Sequence, residues 1–102
     1  MRYQLVVQVT ASSLEDFDRM VALEDELALT LGGAGEIDGH DAGQGETNIF
    51  ILTDHPHQVY EKLRSIASAR AIISTLRVAY RAIDGDEYTI LHPVGLEHFE
   101  VA

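Results

Sequence analysis

The sequence contains no cysteine, no tryptophan and only two prolines. Without cysteine there is no disulfide, no thiolate nucleophile and no cysteine-ligated zinc site, and nothing indicates the redox compartment. No unbroken apolar run approaches the roughly 20 residues that a membrane-spanning helix needs. Polar Gln8 and Thr10 interrupt the first apolar stretch, unlike the core of a signal peptide. We therefore expect a soluble cytoplasmic protein.

Basic residues are also scarce. Seven Lys and Arg stand against 17 Asp and Glu in 102 residues, giving a formal charge of −10 with histidine neutral. Nucleic acids and anionic membranes are bound through clustered basic side chains, and here these are scattered among acidic and apolar residues. The charge argues against both partners. Two interpretations of the acidic surplus stay open: solubility alone, or binding of a basic protein such as a toxin or nuclease.

What the sequence does contain is an ordinary globular composition, 46% apolar and 24% charged, in a length that suits one domain over residues 1–102. Ser12 and Ser13 stand at capping distance before Glu15 and Asp16, which predicts a helix start. Alternating and helical apolar spacing predict five strands and two helices. The strands cover 3–9, 36–41, 47–53, 76–83 and 87–91, with a turn at 42–45; the helices cover 14–31 and a segment beginning at Pro56.

This order of elements, β-α-β-β-α-β plus one strand, predicts a ferredoxin-like α+β sandwich. Its two helices lie on one side of an antiparallel sheet of order 4-1-3-2, with the fifth strand beside the fourth. Strand alternation then assigns alternate residues to the two faces. The residues expected under the helices are Leu5, Val7, Ile49, Ile51, Leu76, Val78 and Tyr80. Those expected on the opposite, outer face are Gln4, Val6, Gln8, Glu36, Asp38, His40, Phe50, Leu52, Arg77, Ala79 and Arg81.

The outer face has an apolar centre between charged edges. The centre consists of Val6, Phe50, Leu52 and Ala79, flanked by Arg77 and Arg81 on one side and by acidic residues on the other. Exposed apolar patches usually meet a partner, so we expect a homodimer in which a two-fold axis pairs the opposite edges. In an alternative interpretation the C-terminal tail, residues 94–102, folds back over this face.

The segment 35–48 is the most unusual in the chain, with four glycines, four acidic residues, a histidine and an asparagine. Glycine allows close backbone approach to a ligand, and carboxylates with imidazole can bind divalent metal. Asp38 and His40 are expected on one strand face, at a spacing that permits joint ligation. The candidate ligand or partner residues are Asp38, His40, Asp41, Glu46 and Asn48. The alternative is an ordinary hairpin with a solvated edge strand.

Other motifs indicate no catalytic site. The glycines at 32–35 follow a helix rather than precede one, so they predict a helix end and not a phosphate loop. No Gly-x-Ser-x-Gly nucleophile motif is present. Glu24 lies on the apolar stripe of the first helix, and with Asp25 and Glu26 it is expected on a solvated acidic face. We predict no catalytic residue and no cofactor.

The stretch GEIDGHDAGQGETNIFILT, residues 35–53, followed by Asp54 and Pro56, resembles a group of small uncharacterised bacterial proteins of ferredoxin-like fold. The resemblance covers about one fifth of the chain and implies the fold and the hairpin, with no catalytic residue. The architecture is also similar to that of ACT-type regulatory domains, which bind small molecules at subunit interfaces, as a fold analogy.

The leading hypothesis is a non-enzymatic dimerising module that binds a protein partner or small ligand through the outer face and the 36–48 hairpin. The competing hypothesis is a small enzyme that uses Asp38, His40, Asp41 and Glu46 for acid/base chemistry or metal binding.

Overall fold

A computed structural model describes residues 2–10, 13–43 and 45–101 of the chain. Ser12 of the predicted helix start, Gln44 of the predicted turn and Ala102 of the tail lie outside the described residues. In chain order the elements are β1 (Tyr3–Thr10), α1 (Leu14–Leu31), β2 (Glu36–Gly43), β3 (Glu46–Thr53), α2 (Pro56–Ala69), β4 (Leu76–Ala82) and β5 (Thr89–His92). Single 3-10 turns at Gly32–Ala34 and Ile73–Thr75 precede β2 and β4.

The five strands form one antiparallel sheet with β1 at its centre. The strand order is β2-β3-β1-β4-β5, which reads β5-β4-β1-β3-β2 from the opposite edge. The predicted α+β class, with two helices and a five-stranded antiparallel sheet, is confirmed, and the arrangement is compatible with a ferredoxin-like fold. Neither α1 nor α2 is long and apolar enough to span a bilayer.

The core lies between the helices and one sheet face. Leu5 and Val7 of β1 are fully buried there, which confirms the predicted alternation of that strand. The helix residues buried against the sheet are Met20, Leu23, Leu27 and Leu31 of α1 and Val59, Leu63, Ile66 and Ala67 of α2. Removing these side chains from water is the main free-energy gain of the fold.

Local sequence signals account for the helix ends. The N–H of Asp16 donates to Oγ of Ser13 at 3.1 Å, so α1 has a serine N-cap. Pro56 occupies the first position of α2, where its missing N–H costs nothing. At the other end of α2, Ala71 takes the left-handed conformation (φ 57°) and the N–H of Ile72 donates to the carbonyl of Ala67 at 2.9 Å. That pairing defines a Schellman motif.

A β-bulge in β2 corrects one prediction. Ile37 pairs with Ile51 of β3, but the next paired residue of β2 is Gly39, opposite Phe50. Asp38 is therefore an extra residue, and each later residue changes face. His40 pairs with Ile49 and points to the helix side. The expectation that Asp38 and His40 share the outer face is wrong, because the two-residue period is broken between them.

Candidate functional site: the sheet face opposite the helices

An apolar row crosses the outer face over four strands. The strand register places Phe50, Val6, Ala79 and Ile90 side by side on β3, β1, β4 and β5. Val6 and Ala79 are completely buried although neither belongs to the core under the helices, whereas Phe50 and Ile90 are half-buried. The predicted apolar centre therefore exists, and another part of the chain covers its middle.

The tail lies over that face. Nε2 of Gln8, on β1, donates to the main-chain carbonyl of Glu100 at 2.8 Å. The Phe99 ring packs against Tyr88, with ring centroids 5.0 Å apart. The apolar tail residues Leu96, Phe99 and Val101 are half-buried, whereas Glu97, His98 and Glu100 are exposed. From Leu96 onward the tail thus presents its apolar side chains to the molecule and its charged side chains to water, whereas Val94 at its start is exposed.

Buried polar side chains anchor the tail beside the apolar row. Gln8 and Asn48 are 3% and 2% exposed, and Nε2 of Gln8 also donates to Oδ1 of Asn48 at 3.1 Å. Nη1 of Arg77 donates to Oε1 of Gln8 at 3.4 Å. Among the described residues no buried side-chain polar atom lacks a partner. Asn48, a candidate ligand residue, therefore has a structural partner on the outer face.

The two candidate interface arginines have different surroundings. Nη1 of Arg81 donates to three main-chain carbonyls between residues 82 and 85, at 2.9 to 3.1 Å, and so fastens the connection from β4 to β5. The Arg77 side chain is 53% exposed, and its nearest carboxylate, that of Glu46, is 3.8 Å away. A partially exposed pair at that distance adds little to stability. Arg77 is therefore the arginine that is accessible to a partner.

The hairpin candidates do not converge on one point. Asp41, Glu46 and Asn48 occupy outer-face positions of the β2–β3 pair, and Asp38 is exposed in the bulge. His40 lies on the other face, where its Nδ1 is 3.0 Å from Oε2 of Glu24 on α1. In the described part of the chain, no three His, Cys, Asp or Glu side chains are close enough to hold a metal ion. The set proposed for acid/base chemistry is thus divided between two faces.

The Glu24–His40 contact was missed by the sequence analysis. Glu24 was expected on a solvated face, yet its side chain is only 17% exposed and bridges α1 to β2. The Phe17 ring lies beside the His40 ring, with centroids 6.5 Å apart. The sequence signal for this contact is the position of Glu24 on the apolar stripe of α1. Its partner could not be identified from the sequence, because the bulge that turns His40 towards the helix side breaks the strand alternation.

A small cavity offers a place for a small ligand. It has a volume of about 150 Å³ and lies between the end of β1, the first half of α1 and the turn before β4. Its inner wall is apolar, formed by Val9, Met20, Leu23 and Ile72, and Arg19 stands at its rim. Arg19 is already paired with Glu15 of the same helix. A cavity of this size takes a molecule no larger than about one aromatic ring.

No known protein family, curated protein or solved structure matches the chain. Its function is therefore inferred from its own geometry and charge.

Proposed function

We propose that the chain is a non-enzymatic module that dimerises through its outer face. The observation that carries the proposal is the incomplete cover of the apolar row: Val6 and Ala79 are buried, whereas Phe50 and Ile90, at its two ends, are only half-buried. A sheet face that remains in water carries polar residues at alternate positions, so an apolar row across four strands is typical of a face that becomes covered. Phe50 and Leu52 remain half-exposed at one side of the row.

The dimensions of the face set the expected affinity. Five strands spaced about 4.8 Å apart, each about seven residues long, give a surface of about 19 by 23 Å. Two copies would bury about 900 Å² of flat area between them, somewhat more with side-chain relief, which is at the low end for specific interfaces. We therefore expect two uncovered outer faces to pair weakly, with a Kd of about 100 µM.

Charge at the two edges favours a two-fold arrangement. The 36–48 hairpin, which contains Asp38 and Asp41, borders the face on the β2 side. Among the ion pairs of the described residues, none involves Asp38 or Asp41. Arg77 lies across the sheet on β4. A two-fold axis along the strands brings Arg77 of one copy towards the hairpin of the other, which aids orientation more than affinity.

Sedimentation velocity tests the proposed dimer. The chain is expected to associate reversibly between about 10 µM and about 1 mM, and Phe50→Asp is expected to abolish association by placing a charge in the apolar row. Phe17→Asp is the matched control, because Phe17 is 38% exposed on α1, outside the outer face. A chain that stays monomeric at the highest concentration contradicts the proposal, as does equal association of both variants.

A second candidate function is the binding of a basic polypeptide, and the distribution of charge favours it. Residues 14–46 contain ten acidic residues and one arginine, a net −9 of the chain's −10. The segment comprises α1, β2 and the start of β3, and the Glu24–His40 contact holds α1 against β2. One side of the molecule therefore carries almost all of the net charge, which attracts a positively charged partner.

Titration of a fluorescent lysine-rich peptide tests this second function. Binding is expected to weaken steeply between about 50 and 500 mM NaCl, since it is electrostatic. Asp38→Asn with Asp41→Asn is expected to weaken binding, whereas Asp84→Asn with Asp86→Asn changes net charge equally in the β4–β5 connection and is expected to have a smaller effect. If the two double variants weaken binding equally, binding depends on net charge alone and not on the hairpin. That result would favour the interpretation that the acidic residues serve solubility.

A further inference from the structure

The tail is attached to the sheet by side chains and not by a β-ladder. The last strand ends at His92, and the last main-chain hydrogen bond in the described part of the chain joins the N–H of Leu96 to the carbonyl of Pro93 at 3.3 Å. Among the described residues, the one side-chain hydrogen bond to the tail beyond Leu96 is that from Gln8 to the carbonyl of Glu100. Segments with few main-chain hydrogen bonds and half-buried side chains open first in native proteins.

The tail also occupies the surface that a second copy needs. Gln8, whose side chain bonds to Glu100, is the next outer-face residue of β1 after Val6. Val6 and Ala79, at the centre of the apolar row, are completely buried. A second outer face cannot reach Val6 while the tail lies there. Covering by the tail and pairing of two outer faces are therefore mutually exclusive.

We infer that the tail is an intramolecular competitor for the outer face, so that its detachment controls dimerisation. The inference rests on the proposed dimer and adds its regulation. A tethered segment competes at an effective concentration in the millimolar range, above that of a second copy in dilute solution. Since both tails must leave, a tail that is bound in about 70% of molecules raises the apparent Kd of the dimer about tenfold, from about 100 µM to about 1 mM.

Full-length variants of the tail test the competition. Leu96→Ser with Phe99→Ser removes the two largest half-buried apolar side chains of the tail and is expected to tighten the dimer about tenfold in sedimentation velocity. Glu97→Ser with His98→Ser alters exposed residues of the same segment and is the matched control, with no change expected. An unchanged or weaker dimer in the Leu96→Ser, Phe99→Ser variant overturns the inference.

A peptide in trans separates this inference from the proposed dimer. A fluorescent peptide with the sequence of residues 94–101, VGLEHFEV, is titrated into the Leu96→Ser, Phe99→Ser variant. It is expected to bind and to dissociate the dimer. Dimerisation that the peptide does not affect overturns the inference and leaves the proposed dimer intact. A variant that binds the peptide but stays monomeric at about 1 mM overturns the proposed dimer, and the control of dimerisation with it.

Discussion

Gly35 provides the sharpest test of the packing that positions the hairpin. It is buried just before β2, where its main chain lies against β3 and α2. A Cβ atom at this position would lie 3.1 Å from Cγ2 of Ile51, 3.1 Å from the carbonyl oxygen of Leu52 and 3.2 Å from Cγ2 of Val59. The φ angle of −174° is extended backbone that alanine also adopts. The cost of Gly35→Ala is therefore steric.

The loss of stability in Gly35→Ala depends on whether the neighbouring atoms can move away from the new Cβ. Carbon atoms pack best at about 3.5–4.0 Å, so two side-chain methyl groups and one main-chain oxygen are too close. The oxygen belongs to β3, which is paired on both sides and cannot retreat easily. Overpacking of this kind costs about 1–3 kcal/mol, and each kcal/mol lowers Tm by about 4–8 °C in a domain near 100 residues.

Urea unfolding followed by far-UV circular dichroism measures the effect. Gly33→Ala is the matched control: it lies two residues earlier in the same turn, and no atom lies within 4 Å of its Cβ position. We expect this control to be neutral or stabilising by up to about 1 kcal/mol, through a less flexible unfolded chain. Equal unfolding midpoints for the two variants would refute the steric argument.

Two further predictions use the same assay. Ala71→Gly relieves the left-handed conformation at the end of α2 (φ 57°) and is expected to stabilise the fold by about 0.5–1 kcal/mol. Ala69→Gly, within α2, is the control and is expected to destabilise the fold. A change of the same sign in the free energy of unfolding of both variants would contradict the assignment of strain to Ala71. The Thr53 hydroxyl donates to the carbonyl of Ala34 at 2.5 Å and accepts from the N–H of His55 at 2.8 Å. Thr53→Val removes both hydrogen bonds at a buried site and is expected to lower the free energy of unfolding by about 1–3 kcal/mol. Thr75→Val removes one bond at an exposed site, and a loss as large as that of Thr53→Val would contradict the role of burial.

Elements with an unbroken period were predictable from the sequence. Helix α1 begins and ends at the predicted residues, and β1 alternates as predicted because no bulge interrupts it. β2 was not predictable beyond Ile37, since the three glycines of the 36–48 hairpin do not show which of them permits a bulge; the structure identifies Gly39, at φ 125°. β5 runs over Thr89–His92 and not 87–91, because the connection held by Arg81 takes up the residues before it.

The sequence left two alternatives for the outer face, a second copy or the chain's own tail, and the structure explains why neither could be chosen from the pattern. The same apolar row could be covered by either a second copy or the tail. The apolar tail residues Leu96, Phe99 and Val101 do not follow the regular spacing of a strand, so they give no further indication. Which cover is favoured depends on the effective concentration of the tethered tail and on the area that two copies would bury between them. A residue pattern encodes neither quantity. In the proposed function the two alternatives are states of one equilibrium. The hydrogen bond from Gln8 to the tail then contributes to how readily the chain passes from one state to the other.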